Sequence, residues 1–155
     1  LDSPVVIREY SSDDSHSISN IIRENLIKVN IKDYSEKIIS NIYEIFTPEY
    51  IAELSTCRKV YVAIKDNSII GTASLDKDTI YTVFIDIKQH NKGIGRQLIH
   101  YIEQIAIDSG ITLLKLPSSI TGQKFYENLG YHAVDVVESE VYGKDIIMIK
   151  NLIKD

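Results

Sequence analysis

The run Gln89-His90-Asn91-Lys92-Gly93-Ile94-Gly95-Arg96 sets two glycines between a strand-like segment and a helical pattern. Its chemistry follows from that position. The first N–H groups of a helix lack an internal acceptor and the macrodipole adds roughly half a positive charge there, so the main chain alone stabilises an anion. The site is expected at the backbone N–H groups from Asn91 to Arg96, with Lys92 and Arg96 adding charge that salt can screen. Two familiar phosphate loops do not fit. The pattern GxxxxGK[ST] is absent, and a dinucleotide fingerprint needs a third glycine and an acidic residue about twenty positions on, inside a βαβ unit. Taken alone, the glycines are equally compatible with close packing of a helix on a strand.

The elements around this run are legible from periodicity. Val5 to Tyr10 reads as a strand; Ser11, Ser12 and Asp13 cap a helix carrying Ile18, Ile21, Ile22, Leu26 and Val29, and a second helix carries Ile38, Ile39, Ile42 and Ile45. Thr47-Pro48 starts a short third helix through Tyr50, Ile51 and Leu54. From Lys59 the period becomes two. Val60, Val62 and Ile64 face one way and Tyr61 and Ala63 the other, Asp66-Asn67 supplies a turn, and Ile69 to Leu75 returns. After Asp76-Lys77-Asp78, a third run from Thr79 to Ile87 alternates Tyr81, Val83, Ile85 and Ile87 against Ile80, Thr82 and Phe84. The glycine run follows. Ile94, Leu98, Ile102 and Ile105 are the buried stripe of a helix closed by Gly110, and Ile111 to Leu116 is a strand that Pro117 breaks. Ser118 or Ser119 caps a helix through Phe125 and Leu129 ended by Gly130, and two strands, Tyr131 to Val137 and Asp145 to Leu152, complete an α+β fold. A helical crossover permits the strand ending at Ile87 and the Ile111 to Leu116 strand to be parallel neighbours.

The 155 residues suit one domain over 1–155. Mean hydropathy near zero and the lack of an apolar run of about twenty residues argue against a membrane span, and the first ten residues do not read as a signal peptide. A chain opening on Leu1 is expected to have lost its original terminus. Cys57 is alone, which rules out an intrachain disulfide and cysteine-cluster metal sites and favours a reducing, cytoplasmic setting; it is expected to be a small apolar side chain rather than an acyl carrier. Seventeen basic against twenty-two acidic residues leave a net charge of −5, the wrong sign for a nucleic-acid binder and better suited to a cationic or neutral small molecule. His16, His90, His100 and His132 show no metal-ligand spacing, and no metal is expected.

A second motif, Phe125-Tyr126-Glu127-Asn128-Leu129-Gly130-Tyr131, follows the first by about thirty residues. With "IDIKQHNKGIGRQLI" and "SSITGQKFYENLGY" in this order, the chain resembles the GNAT superfamily of N-acetyltransferases over nearly its whole length. The resemblance implies a mixed, mostly antiparallel central sheet of six to seven strands with helices on both faces. It implies acetyl-coenzyme A as the acyl donor, its pyrophosphate on the [QR]xxGx[GA]-like loop that here reads His90, Asn91, Lys92, Gly93, Ile94 and Gly95. The strand Val83-Phe84-Ile85 would offer main-chain groups to the pantetheine arm and the acetyl carbonyl. Tyr126 takes the position beside the thioester sulfur. Two side chains depart from the pattern: His90 replaces a glutamine or arginine, and Ser119, seven residues before Tyr126, replaces an asparagine that often touches the cofactor.

Transfer to an amine needs a neutral nucleophile, an oxyanion donor and help for the leaving thiolate. A backbone N–H of Val83, Phe84 or Ile85 would serve the oxyanion. A tyrosine near pKa 10 outlasts a thiol near 8.5, so Tyr126 would keep its proton while hydrogen-bonding the sulfur. Asp76, Asp78, Asp86, Glu44 and Glu49 all lie in segments that could border the acceptor cleft, and none is singled out as the base. The acceptor, a small-molecule or peptide amine, would be selected by Asn30 to Leu54; a homodimer stays open. The competing reading is a non-catalytic acyl-coenzyme A sensor, separated from the enzyme by turnover.

Overall fold

The β-alternation beginning at Lys59 and the apolar stripes of the helices combine into one sheet with a core on each face. The computed structural model describes residues 3–153. Seven strands, β1 (Val6–Glu9), β2 (Lys59–Lys65), β3 (Ser68–Asp76), β4 (Thr79–Ile85), β5 (Leu113–Ser119), β6 (His132–Ser139) and β7 (Gly143–Asn151), lie in the order β1-β2-β3-β4-β5-β7-β6. Only β4 and β5 are parallel; the other neighbours run antiparallel. Helices α1 (Ser15–Lys28), α2 (Glu36–Ile45) and α3 (Pro48–Leu54) cover one face, where Ile18, Ile22, Leu26, Ile39 and Ile51 pack on Val60 and Val62. On the other face α4 (Ile94–Asp108) and α5 (Gln123–Asn128) bring Leu98, Ile99, Ile102 and Tyr126 against Tyr61, Ala73, Leu114 and Met148.

Local signals fix the element ends. Ser35 and Thr47 accept the N–H groups of Ile38 and Tyr50 at 3.2 and 3.1 Å, so two helices of the first face start where short polar side chains replace missing acceptors. Asp66 and Asn67, with φ of 51° and 62°, form the tight turn of the β2–β3 hairpin. The α4 helix is locked to the far side of the sheet by a buried charge: Glu103 accepts from Tyr131 Oη at 2.8 Å and from Lys150 Nζ at 2.9 Å. Among the described residues no helix is long and apolar enough to cross a membrane.

Four readings need correction. Ile80 shares the α4-side core with Val83 and Ile85, which strict alternation forbids; a β-bulge in β4, opposite β3 residues Thr72 to Ser74, inserts the extra residue, and Thr82 there takes φ 56°. Pro117 does not break its strand. Lys115 donates its N–H towards β4, to the Asp78 carbonyl at 2.9 Å, so two residues on the missing N–H of Pro117 also falls on the β4 side and costs β7 nothing. Ser119 ends that strand and Gly122, not a serine, precedes α5. Cys57 is exposed rather than a packed apolar side chain.

Candidate active site

β4 and β5 share one residue pair, Thr79 with Lys115, and then part. The Asp86 N–H donates to the Ile70 carbonyl at 2.8 Å, so Asp86 and, two residues earlier, Phe84 spend their main-chain groups on β3, while Val83 and Ile85 turn theirs to the gap. This removes Phe84 from the expected main-chain donors and leaves Val83 and Ile85. The Ile85 carbonyl is already taken: Asn25 Nδ2 reaches it at 2.8 Å and His90 Nε2 at 2.9 Å, which puts the proton of His90 on Nε2. His90 therefore braces the loop through its side chain. A cavity of about 870 Å³ occupies the gap and continues under α2 and α3, reaching Tyr34, Phe46 and Tyr50.

The glycine run opens one end of this cavity. The first α4 bond runs from the Gln97 N–H to the Gly93 carbonyl at 3.1 Å, leaving the N–H groups of Ile94, Gly95 and Arg96 without helical acceptors. The two glycines do different work. Gly93 has φ 83° and open space where a side chain would stand, so it is there for its conformation; Gly95 would bring a Cβ to 2.8 Å from Phe125 Cζ, so it is there for packing. Gly95→Val should overpack this contact and cost about 1–3 kcal/mol of stability, read as a lower Tm. His90, Asn91, Gly93, Ile94, Gly95 and Arg96 line the cavity together with Gln89, whereas Lys92 is exposed and outside the lining.

Tyr126 stands where the gap meets the α4-side core. Its ring is packed edge-on against Phe125 at 5.0 Å and Tyr131 at 6.1 Å, only 7% of the residue is exposed, and it lines the cavity. The hydroxyl has no hydrogen-bond partner among the described residues, and burial pushes its pKa far above that of a free tyrosine, so it stays protonated. Ser119 also borders the gap, its Oγ accepting the Gly122 N–H at 3.0 Å.

None of Asp76, Asp78, Asp86, Glu44 and Glu49 lines the cavity; Asp86 caps its own turn by accepting the Lys88 N–H at 3.0 Å, and Asp78 accepts from the Thr79 hydroxyl at 2.9 Å. The carboxylate that does line it is Asp145. Its neighbours Ile146 and Met148 enter the α4-side core, so Asp145 faces the opposite side, towards Tyr34, and is paired in register with Ser119. Burial raises its pKa to about 6. Nothing in the sequence marks it, because an acid at the start of a strand is ordinary. Tyr34 ties these segments together: its Oη donates to the Lys144 carbonyl at 2.8 Å and accepts from the Ile120 N–H at 2.8 Å, while Thr121 Oγ1 donates to Asp33 at 2.7 Å.

The family model described as "Acetyltransferase (GNAT) domain" matches residues 30–151. No curated protein matches by sequence. Among solved structures, the chain is similar to a GCN5-related N-acetyltransferase from Rhodopseudomonas palustris, with TM-score 0.90, 20% identity and coverage of 97% of this chain and 98% of that one. It is similar to a PaiA N-acetyltransferase from Thermoplasma acidophilum in complex with coenzyme A, at TM-score 0.79 and 23% identity over 96% and 99% of the two chains. An aminoglycoside 6'-N-acetyltransferase complexed with coenzyme A superposes at TM-score 0.72 and 15% identity over 97% and 98%. The parted parallel strands, the glycine run opening α4 and a family match across most of the sequence agree: the chain belongs to the GNAT acetyltransferase family.

Proposed function

We propose that this protein transfers the acetyl group of acetyl-coenzyme A to a primary amine by direct attack. One observation carries the reading: a gap edged by main-chain donors runs from a helix start with unpaired N–H groups to the unpaired hydroxyl of a buried tyrosine. The residues present suit the donor. Ile94, Gly95 and Arg96 N–H groups, with the Arg96 side chain, would hold the pyrophosphate, and the extended pantetheine arm would lie along β4 as an added strand on Val83 and Ile85. The buried Gln89 Oε1, on a cavity-lining residue, has no partner among the described residues.

The chain's groups then divide the chemistry. An N–H of Val83 or Ile85 receives the acetyl oxygen as it gains charge. As the amine nitrogen bonds to the acetyl carbon its proton becomes acidic, and Asp145, ionised above about pH 6, takes it. The carbon–sulfur bond breaks, the thiolate leaves against the hydrogen bond of Tyr126, and Asp145 later returns its proton to solvent. The test is release of free thiol from acetyl-coenzyme A over a panel of primary amines. Amine-dependent release supports the reading; tight binding with no release for any amine returns the protein to the acyl-coenzyme A sensors.

Gly93 supplies a sharper check of the donor site. A β-branched residue is strained at φ 83°, by about 1–2 kcal/mol, so Gly93→Val should distort the loop and weaken coenzyme A binding about tenfold in calorimetry. Asn tolerates this conformation, and Gly93→Asn should bind close to wild type. Equal affinity in all three proteins would place the anion elsewhere.

A further inference from the structure

Arg58 stands on the wall of the cavity without a counter-ion among the described residues. It stands between α3 and β2, half-buried, with its guanidinium carbon 4.4 Å from the centre of the Tyr81 ring. Among the described residues its one polar contact is long, 3.5 Å from Nη1 to Thr82 Oγ1, and its buried Nε has no acceptor. Among the described residues no carboxylate pairs with it. Leaving a buried charged donor unsatisfied is costly, and two such orphan side-chain atoms occur among the described residues, Arg58 Nε and Gln89 Oε1, both on residues that line this cavity.

The arrangement is specific in shape. The guanidinium lies over the Tyr81 ring and keeps Nη2 unpaired among the described residues, and a guanidinium held there can offer its N–H groups to the oxygens of a carboxylate. Tyr81 extends on the sheet side opposite to Ile80, which belongs to the α4-side core; that is also the side of Asp145. The walls between are apolar, from Ile39, Ile42, Phe46 and Leu54. A cavity with one guanidinium and one carboxylate beyond the donor loop suits a ligand carrying the opposite pair of charges.

We propose that the acceptor is a small amino carboxylate, of which a free amino acid is the simplest, its amine towards Asp145 and its carboxylate on the Arg58 guanidinium. The proposal rests on the acetyl-transfer reading for its chemistry, and it gives Arg58 a binding role that the transfer itself does not require. The probes are matched pairs that differ only in the carboxylate: leucine with 3-methylbutylamine, phenylalanine with phenethylamine, and lysine with cadaverine. In wild type, kcat/KM from thiol release should favour the amino acid of at least one pair by about tenfold or more, because a site built for a hydrogen-bonding group rejects the analogue lacking it. In Arg58→Gln that ratio should collapse towards one, with the loss in KM rather than kcat and with coenzyme A affinity retained. A wild-type ratio at or below one for every pair, or a ratio that Arg58→Gln leaves intact, overturns the proposal. Should no amine release thiol, the transfer reading fails by itself. The same pairs then decide Arg58 through binding, read as the shift in Tm, where an amino acid that protects wild type no better than its amine, or Arg58→Gln as well as wild type, overturns it.

Discussion

Tyr126→Phe is expected to lower kcat by about 10²-fold or more, with coenzyme A affinity and Tm close to wild type. The separation of effects follows from the packing. Phe125 and Tyr131 touch the ring, which the substitution keeps, and the hydroxyl bonds to nothing within the described chain, so its removal orphans no partner. Removal of a buried donor normally mixes chemistry with stability; here the two are decoupled. Burial holds the phenol protonated across the working pH range, as a partner for a departing thiolate must be. Single-turnover measurement of thiol release is the decisive reading, since slow product release would mask the change. A variant as fast as wild type in that step would leave the thiolate to solvent and return Tyr126 to the core.

Asp145→Asn carries the second large effect. If Asp145 takes the proton of the amine, kcat/KM in wild type should rise with pH through about 6, the pKa to which burial raises this carboxyl, and the variant should lose roughly 10²-fold at neutral pH together with that limb of the profile. Stability should move the other way. A carboxyl whose pKa lies near 3.9 when unfolded and about 6 when folded binds its proton more tightly in the native state. Its contribution to stability is therefore greatest below pH 4 and is lost as pH rises through 6. Asn carries no such titration, so the variant should gain Tm relative to wild type at pH 7 but not at pH 4. No ion pair offsets the ionised form among the described residues, which is why the penalty is felt. A variant that loses activity without losing the pH limb would make Asp145 a positioning group and leave proton transfer to water.

Much of the geometry of the proposed donor half of the site is legible in the chain because its signals are local. A glycine with positive φ at a helix start, a second glycine two residues on and a Phe-Tyr helix ended by Gly130 are all short-range features. The acceptor half is not. Five acids looked eligible by segment, yet each of them lies outside the cavity, and the carboxylate that borders it was unremarked. Thr82 defeats periodicity in the same way: the bulge that gives it φ 56° moves Val83 and Ile85 onto the side of Ile80, and no alternation pattern announces an inserted residue.

The residue pattern by itself determined the order of the elements, the Thr47 cap of α3, the parallel pairing of β4 with β5 across the α4 crossover and the place of the glycine turn that opens α4. These depend on hydrogen bonds and dihedral preferences spanning a few residues, which the chain carries wherever it goes. Tertiary structure alone decided how far β4 and β5 stay together, where Pro117 could sit without cost, and that Arg58, Tyr81 and Asp145 would share one cavity. Those three come from a turn and two non-adjacent strands. Their meeting depends on the β4-β5-β7 order and on which face each strand residue presents, and in a sheet one residue of register is the difference between the two faces.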